Sequence, residues 1–205
     1  SWAGPLVSTA CWFDFTKYKF LHSEINDSKK LKSSKRREII LSLDNFVKYS
    51  SSIASVVEID KYGLSYANSI AMKRSIFSLT HQLKKHSQIY RNKDFCIYVD
   101  GKFKPDFENL DNFLQRNKLH LDKYSIKALV KGDSLCKTIA LASIISKETR
   151  DTIMRQWSKK HPSYLFDSNF GYGTKNHINA ILKNGVLDLH RKSFKPIATT
   201  YGKIN

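Results

Sequence analysis

The chain is poor in acid, in cysteine and in long apolar runs. Asp and Glu number 18 against 35 Lys and Arg in 205 residues, leaving a formal charge of +17 at pH 7. Cys11, Cys96 and Cys136 are odd in number, far apart, and none sits in a Cys-x-x-Cys pair. That excludes a disulfide framework, a cysteine-built zinc site and thiol catalysis, and it points to a reducing, cytoplasmic compartment. Cys96 and Cys136 have apolar neighbours and read as small hydrophobes. The seven histidines form no His-Glu-x-x-His and no ligand ladder, so they read as surface or structural residues. No stretch reads as a signal or transit segment. The longest apolar stretch, Ile139–Ile145, falls far short of the ~20 residues that span a bilayer.

What is present is enough for a folded, soluble domain. Hydrophobic residues at 41% and aromatics at 12% exclude general disorder. A chain of this length buries roughly 70% of its unfolded surface and needs no disulfide or metal to fold. The charge excess attracts polyanions, and nucleic acid is the commonest, because each neutralised phosphate releases counterions. Lys29, Lys30, Lys32, Lys35, Arg36 and Arg37 concentrate it locally. A solvated helix start or a nuclear-type address is the plainer reading of that cluster alone.

Residue patterning predicts an α/β domain. Leu6 to Phe15 reads as a strand, Ser33 to Tyr49 as a helix, Ile53 to Ile59 as a strand and Leu64 to Lys85 as a long helix. Phe95 to Val99 reads as a buried central strand ending at Asp100-Gly101, and Tyr124 to Val130 as a strand ending at Lys131-Gly132-Asp133. Helices are expected from Ser134 to Lys159 and from Thr174 to Lys183. There is no repeat, low-complexity tract or long linker.

Two acids stand out by position. Asp100 closes a strand, and Asp133 lies between a strand end and a helix start, where α/β folds gather their sites. Carboxylates there, in so basic a chain, suit a hard divalent cation, Mg²⁺ or Mn²⁺, held against phosphate. The plainer alternatives are a helix N-cap for Asp133 and a turn acid for Asp100. Tyr172, flanked by Gly171 and Gly173, suits stacking on a sugar or base, or else packing in a glycine turn. Lys147 and Arg150 share a helix face and can grip one phosphate, although any exposed helix carries such pairs.

These pieces, in this order, resemble bacterial type 2 ribonuclease H (ribonuclease HII). The resemblance rests on Asp27-Ser28-Lys29-Lys30-Leu31, Asp100-Gly101 and Gly132-Asp133-Ser134. It continues with Ile139-Ala140-x-Ala142-Ser143-Ile144-x-x-Lys147-x-Thr149-Arg150-Asp151, Gly171-Tyr172-Gly173-Thr174 and His190-Arg191-x-Ser193-Phe194. It runs from about Ala3 to Pro196.

The resemblance implies a ribonuclease H-like mixed central sheet with flanking helices and a helical C-terminal extension. Residues 1–160 would form the catalytic domain and residues 161–205 the extension packed on it. It implies a metal-dependent endoribonuclease that hydrolyses the RNA strand of RNA–DNA hybrids. Cutting would include the 5′ side of single ribonucleotides embedded in duplex DNA, leaving a 3′-hydroxyl. Carried over by motif, Asp100 and Asp133 are catalytic acids binding Mn²⁺ or Mg²⁺. Tyr172 resembles the tyrosine that stacks beside the ribose–deoxyribose junction. Ser28, Lys29, Lys30, Lys147 and Arg150 are candidates for backbone phosphates. The expected partner is a hybrid or ribonucleotide-containing duplex, with no membrane, and the expected state is a monomer.

The chain departs from the family in one large respect. The family's Asp-Glu pair and following Gly-Arg-Gly, on a first strand before the segment matching Ser1-Trp2-Ala3-Gly4-Pro5, have no counterpart. Two of four expected acids are therefore present, and Asp14, Glu24 and Asp27 do not form such a pair. The absent strand and the absent initiator Met suggest an N-terminally clipped form of a longer protein. Gly63, Asn68 and Phe170 are smaller departures. Two rivals follow: a catalytically inactive relative that binds hybrids or RNA through its basic face, and a basic RNA-binding or ribosome-associated protein with no catalytic history.

Overall fold

The computed structural model describes residues 1–14, 16, 25, 28, 30–43, 46–86, 95–101 and 124–204. In chain order the strands are β1 (Leu6–Phe13), β2 (Val47–Ala54), β3 (Phe95–Asp100) and β4 (Tyr124–Leu129). The helices are α1 (Ser33–Leu41), α2 (Val56–Tyr62), α3 (Leu64–His86), α4 (Gly132–Leu135) and α5 (Lys137–Lys160). They continue with α6 (Phe166–Asn169), α7 (Lys175–Asn184) and α8 (Ile197–Ile204), and a 3₁₀ turn covers Pro162–Tyr164. The class is mixed α/β, as expected. Among the described residues the strands form two two-stranded sheets, β1 with β2 and β3 with β4. Among them, too, no helix is long and apolar enough to cross a membrane.

The stretch between Ser33 and Tyr62 differs from the sequence reading. The helix stops at Leu41, Val47–Ala54 is strand, and Val56–Tyr62 is helix where a strand to Ile59 was expected. Val47–Ala54 buries Val47, Ser50 and Ala54 and pairs with β1, so the helical spacing of Ile39, Ile40, Leu43, Phe46 and Val47 does not carry the helix beyond Leu41. Ser55 starts α2 through a reciprocal capping box with Glu58, satisfying two orphan amides at once. The expected continuous helix from Ser134 is also broken. Cys136 is extended (φ −130°, ψ 115°) between the single turn α4 and the long α5.

The chain divides into two compact units. One comprises residues 8–52 and 69–148. Its core gathers Phe13, Ile25, Ile39, Val47, Ala140, Leu141, Ile144 and Ile145. The spacing of Leu141, Ile144, Ile145 and Glu148 makes one inward stripe of α5. Glu148 faces Arg36, with Nε to Oε2 at 3.1 Å and each side chain 6% exposed. Ser33 donates its hydroxyl to the same carboxylate, and Arg36 donates onward to the carbonyls of Leu31 and Ser28. A buried charge pair this well bonded anchors the start of α1.

The other unit comprises residues 1–7, 53–68 and 149–205. Ala3, Met154, Tyr164, Phe166, Ala180, Ile181 and Ile197 form its core. The first residues are sewn in as a backbone bridge. Trp2 and Ala3 donate to the Gly171 carbonyl, Gly4 donates to Leu189, and Arg191 donates back to Trp2. Gly171 has φ +74° and sits against the Ala3 carbonyl, so only glycine fits there.

Candidate active site

β3 and β4 run parallel, in a register that sets Asp100 opposite Leu129. Both strands therefore end on the same side, and the turns that follow them meet. Gly101 (φ +124°) donates its N–H to Leu129 at 2.9 Å, closing the β3 end. Across the gap the Gly132 N–H donates to Asp100 Oδ1 at 2.8 Å. Gly132 is buried and has no room for a Cβ, which would meet Ile139 and approach that same oxygen. Asp133 follows directly in the first turn of α4. The sequence could not show that these two strands are neighbours; the parallel register brings both acids to one strand end.

The plainer readings of the two acids fare differently. Lys131, in a left-handed conformation (φ 57°, ψ 40°), occupies the N-cap position of α4, so Asp133 is not the cap. Asp100 does sit at an Asp-Gly turn, yet its carboxylate is bonded across to the β4–α4 turn rather than within its own. Asp100 is exposed and Asp133 half-buried.

Carboxylate oxygens are hard donors that suit Mg²⁺ or Mn²⁺, ions that keep several waters when few protein ligands are offered. The chemistry of the pair therefore fits such an ion. Among the described residues no group of three or more His, Cys, Asp or Glu gathers, so the pair stands without a third described acid.

β3 is less buried than its apolar sequence implies. Val99 is buried, but Cys96, Tyr98 and Asp100 are exposed. Each strand of this sheet has one hydrogen-bonded partner among the described residues. Cys96 is thus a surface thiol rather than a core filler. The Ser125 hydroxyl, donating to its sulfur at 3.4 Å, leads the effects that hold its pKa below the usual thiol value.

The phosphate candidates are spread differently from expectation. Ser28 is buried and its hydroxyl bonds Ser143 at 2.8 Å, so that side chain braces α5. Lys30 is exposed, Lys147 is half-buried on α5, and Lys29 lies outside the described residues. In the basic cluster, Arg36 is consumed by Glu148 and Lys35 pairs with Glu38 at 2.9 Å.

Tyr172 and Arg150 belong together. Tyr172 is 49% exposed, and the Arg150 guanidinium lies 5.5 Å from its ring centroid. The arginine donates to the carbonyls of Ala3, Pro5 and Phe170 and to the Ser1 hydroxyl. Burial lowers its pKa. Its fork is committed to backbone and leaves little for a phosphate. The flanking glycines serve a close approach of the chain to itself: Gly171 admits Ala3, and Gly173 admits the Trp2 ring.

Sequence reasoning passed over Arg191, His177 and His190. Arg191 is buried, donates to the carbonyls of Gly4 and Pro5, and is pushed down to about 10, chiefly by burial and next by Arg150. Their only sequence signals were the His-Arg-x-Ser-Phe motif and a histidine three residues beyond Thr174.

Comparison with known proteins decides the lineage. A family model described as Ribonuclease HII matches residues 1–197. The chain belongs to the ribonuclease HII family. The ribonuclease HII of Wolbachia pipientis wMel is 35% identical over 196 residues, covering 96% of this chain and 85% of that protein. Among solved structures, ribonuclease H2 from Pyrococcus horikoshii OT3 superposes with a TM-score of 0.68 at 20% identity, covering 98% of this chain and 93% of that one. Bst-RNase HIII in complex with Mn²⁺ gives 0.70 at 16% identity, covering 98% and 66%. The structural likenesses establish the ribonuclease H-like fold. Family membership makes the protein a metal-dependent hydrolase of the ribonuclease H class.

Proposed function

We propose that this enzyme hydrolyses the RNA strand of RNA–DNA hybrids and cuts 5′ to single ribonucleotides embedded in duplex DNA, with Asp100 and Asp133 as its metal-holding acids. The observation that carries the assignment is the parallel β3–β4 register, which puts Asp100 beside the turn that bears Asp133. Mn²⁺ or Mg²⁺ held there would polarise the scissile phosphate and supply an activated water. The Gly132 amide orients the Asp100 carboxylate by occupying Oδ1. Lys30 and Lys147, with Lys29, are proposed to meet backbone phosphates, and Ser28 contributes by bracing α5 at Ser143. Tyr172 is proposed to stack on the sugar beside the ribose–deoxyribose junction. Arg150, although a phosphate candidate by sequence, is assigned to positioning Tyr172. We further propose a monomer that acts in the cytoplasm.

The test is a nicking assay on duplex DNA with one embedded ribonucleotide, with Mn²⁺ and with EDTA. Metal-dependent cutting 5′ to the ribonucleotide is expected, with Asp100→Asn abolishing it and sparing duplex binding. Equal loss of binding and cutting in that variant would remove Asp100 from metal chemistry. A folded chain that binds hybrid and leaves every phosphodiester intact would support a clipped chain or a catalytically inactive relative.

A further inference from the structure

His177 and His190 are both fully buried, with Nε2 to Nε2 3.1 Å apart. Their other ring nitrogens face backbone. His190 Nδ1 lies 2.9 Å from the Leu187 amide nitrogen, and His177 Nδ1 lies 2.9 Å from the Tyr172 carbonyl oxygen. These ends dictate where the protons sit. A carbonyl only accepts, so His177 Nδ1 carries the proton and its Nε2 is bare. An amide only donates, so His190 Nδ1 is bare and its proton lies on Nε2. The Leu187 carbonyl, at 3.3 Å from His190 Nδ1, is the weaker neighbour. Protonating Nδ1 toward it would set two bare Nε2 atoms against each other. One direction survives: Leu187 N–H to His190, His190 Nε2–H to His177, and His177 Nδ1–H to the Tyr172 carbonyl.

The surroundings keep this pair dry and neutral. The rings of Tyr164 and Phe166 lie 5.4 and 5.9 Å from His190, and those of Phe166 and Trp2 lie 5.5 and 5.7 Å from His177. Burial lowers both pKa values, His190 reaching about 4. The Tyr172 carbonyl also accepts from the Thr174 amide at 2.9 Å, and the Tyr172 amide donates to Asn169 at 2.8 Å. Arg150 meets the ring while the histidine pair meets the backbone, so an exposed side chain stands on a doubly fixed base.

We propose that the neutral His177–His190 pair is a positioning relay that fixes the Tyr172 backbone, so that its ring stands ready for the junction sugar. This rests on the reading of Tyr172 as the stacking residue. Neither histidine touches substrate in this role.

Side-chain ¹⁵N NMR of the wild-type chain at pH 7 tests the relay without any turnover. The expected result is a protonated Nδ1 in His177 and a protonated Nε2 in His190, and the opposite tautomer in either ring overturns the relay. The second measurement is amide hydrogen exchange at Tyr172 and Thr174. His177→Leu should speed it about tenfold, the worth of one hydrogen bond. His177→Asn, which restores a donor near the Nδ1 position, should return it close to wild type. Unchanged exchange in folded His177→Leu, or no rescue by folded His177→Asn, overturns the relay. Should His177→Leu fail to fold, the wild-type tautomers decide. Cutting at a single embedded ribonucleotide by Tyr172→Ala is run alongside, next to its general duplex binding. Binding that falls just as far as cutting overturns the stacking reading, whereas the tautomers and exchange rates judge the relay independently.

Discussion

The guanidinium of Arg150 lies over the ring of Tyr172, 5.5 Å from its centroid, while its N–H groups reach the carbonyls of Ala3, Pro5 and Phe170 at 3.0, 3.2 and 2.9 Å. A planar fork of fixed geometry can serve a ring face and several carbonyls at once; a lysine ammonium cannot. Arg150→Lys should therefore cost about 2–4 kcal/mol by leaving the Ala3 and Phe170 carbonyls short of donors, while Pro5 keeps Arg191. Urea unfolding reads the cost, and a loss below about 0.5 kcal/mol would show that the carbonyls find other donors. Hybrid affinity should fall with it, because the ring loses its support.

The Arg36–Glu148 pair gives a second prediction. Both side chains are 6% exposed, so removing the acid leaves a buried cation uncompensated. Glu148→Ala should destabilise by about 3–5 kcal/mol. The double variant Arg36→Met with Glu148→Leu should recover most of that loss, since apolar replacement of both partners removes the desolvation cost. A double variant no better than the single one would place the stability in the hydrogen bonds to Leu31 and Ser33 rather than in charge compensation.

Acid should weaken the fold through His190. Its pKa falls from the usual 6.5 to about 4, burial leading and the neighbouring His177 next. The unfolded chain therefore binds more protons than the folded one between those values, and stability drops as pH falls through that window. Below about pH 4 the two states bind equally and the loss levels off. The upper limit is about 3 kcal/mol. His161 pushes His190 the same way, more weakly, and burial lowers His177 too, so the two buried histidines add to one slope. Thermal midpoints at pH 7, 5.5 and 4.5 should decline in the wild type and decline less in His190→Gln.

Duplex binding should be strongly salt-dependent. With a charge of +17, contact with about six phosphates predicts a fall of roughly 10³-fold between about 50 and 200 mM salt. Fluorescence anisotropy with a labelled hybrid measures the slope. A flat curve would mean that the charge excess lies away from the duplex.

Family and enzyme class were legible in the sequence because several short motifs stand in one order along nearly the whole chain. Asp100-Gly101 and Gly132-Asp133-Ser134 mark strand ends whatever lies between them. The stretch from Ser33 to Tyr62 was not legible. Ile39, Ile40, Leu43, Phe46 and Val47 fit a helical period, yet the chain leaves the helix at Leu41 to pair a strand with β1. The Ser55–Glu58 capping box was the overlooked signal.

The sequence by itself determined the basic charge, the α/β class and which residue types stand at the ends of β3 and β4. These follow from composition and local pattern, and no distant contact is needed to read them. The tertiary structure alone decided that β3 lies parallel to β4, and so that Asp100 receives the Gly132 amide. It also tied the Arg150 fork to the carbonyls of Ala3, Pro5 and Phe170 and the Ser28 hydroxyl to Ser143, and it joined His177 to His190. Each of those outcomes depends on which distant backbone group lies within hydrogen-bond reach, and a linear pattern holds no information about that distance.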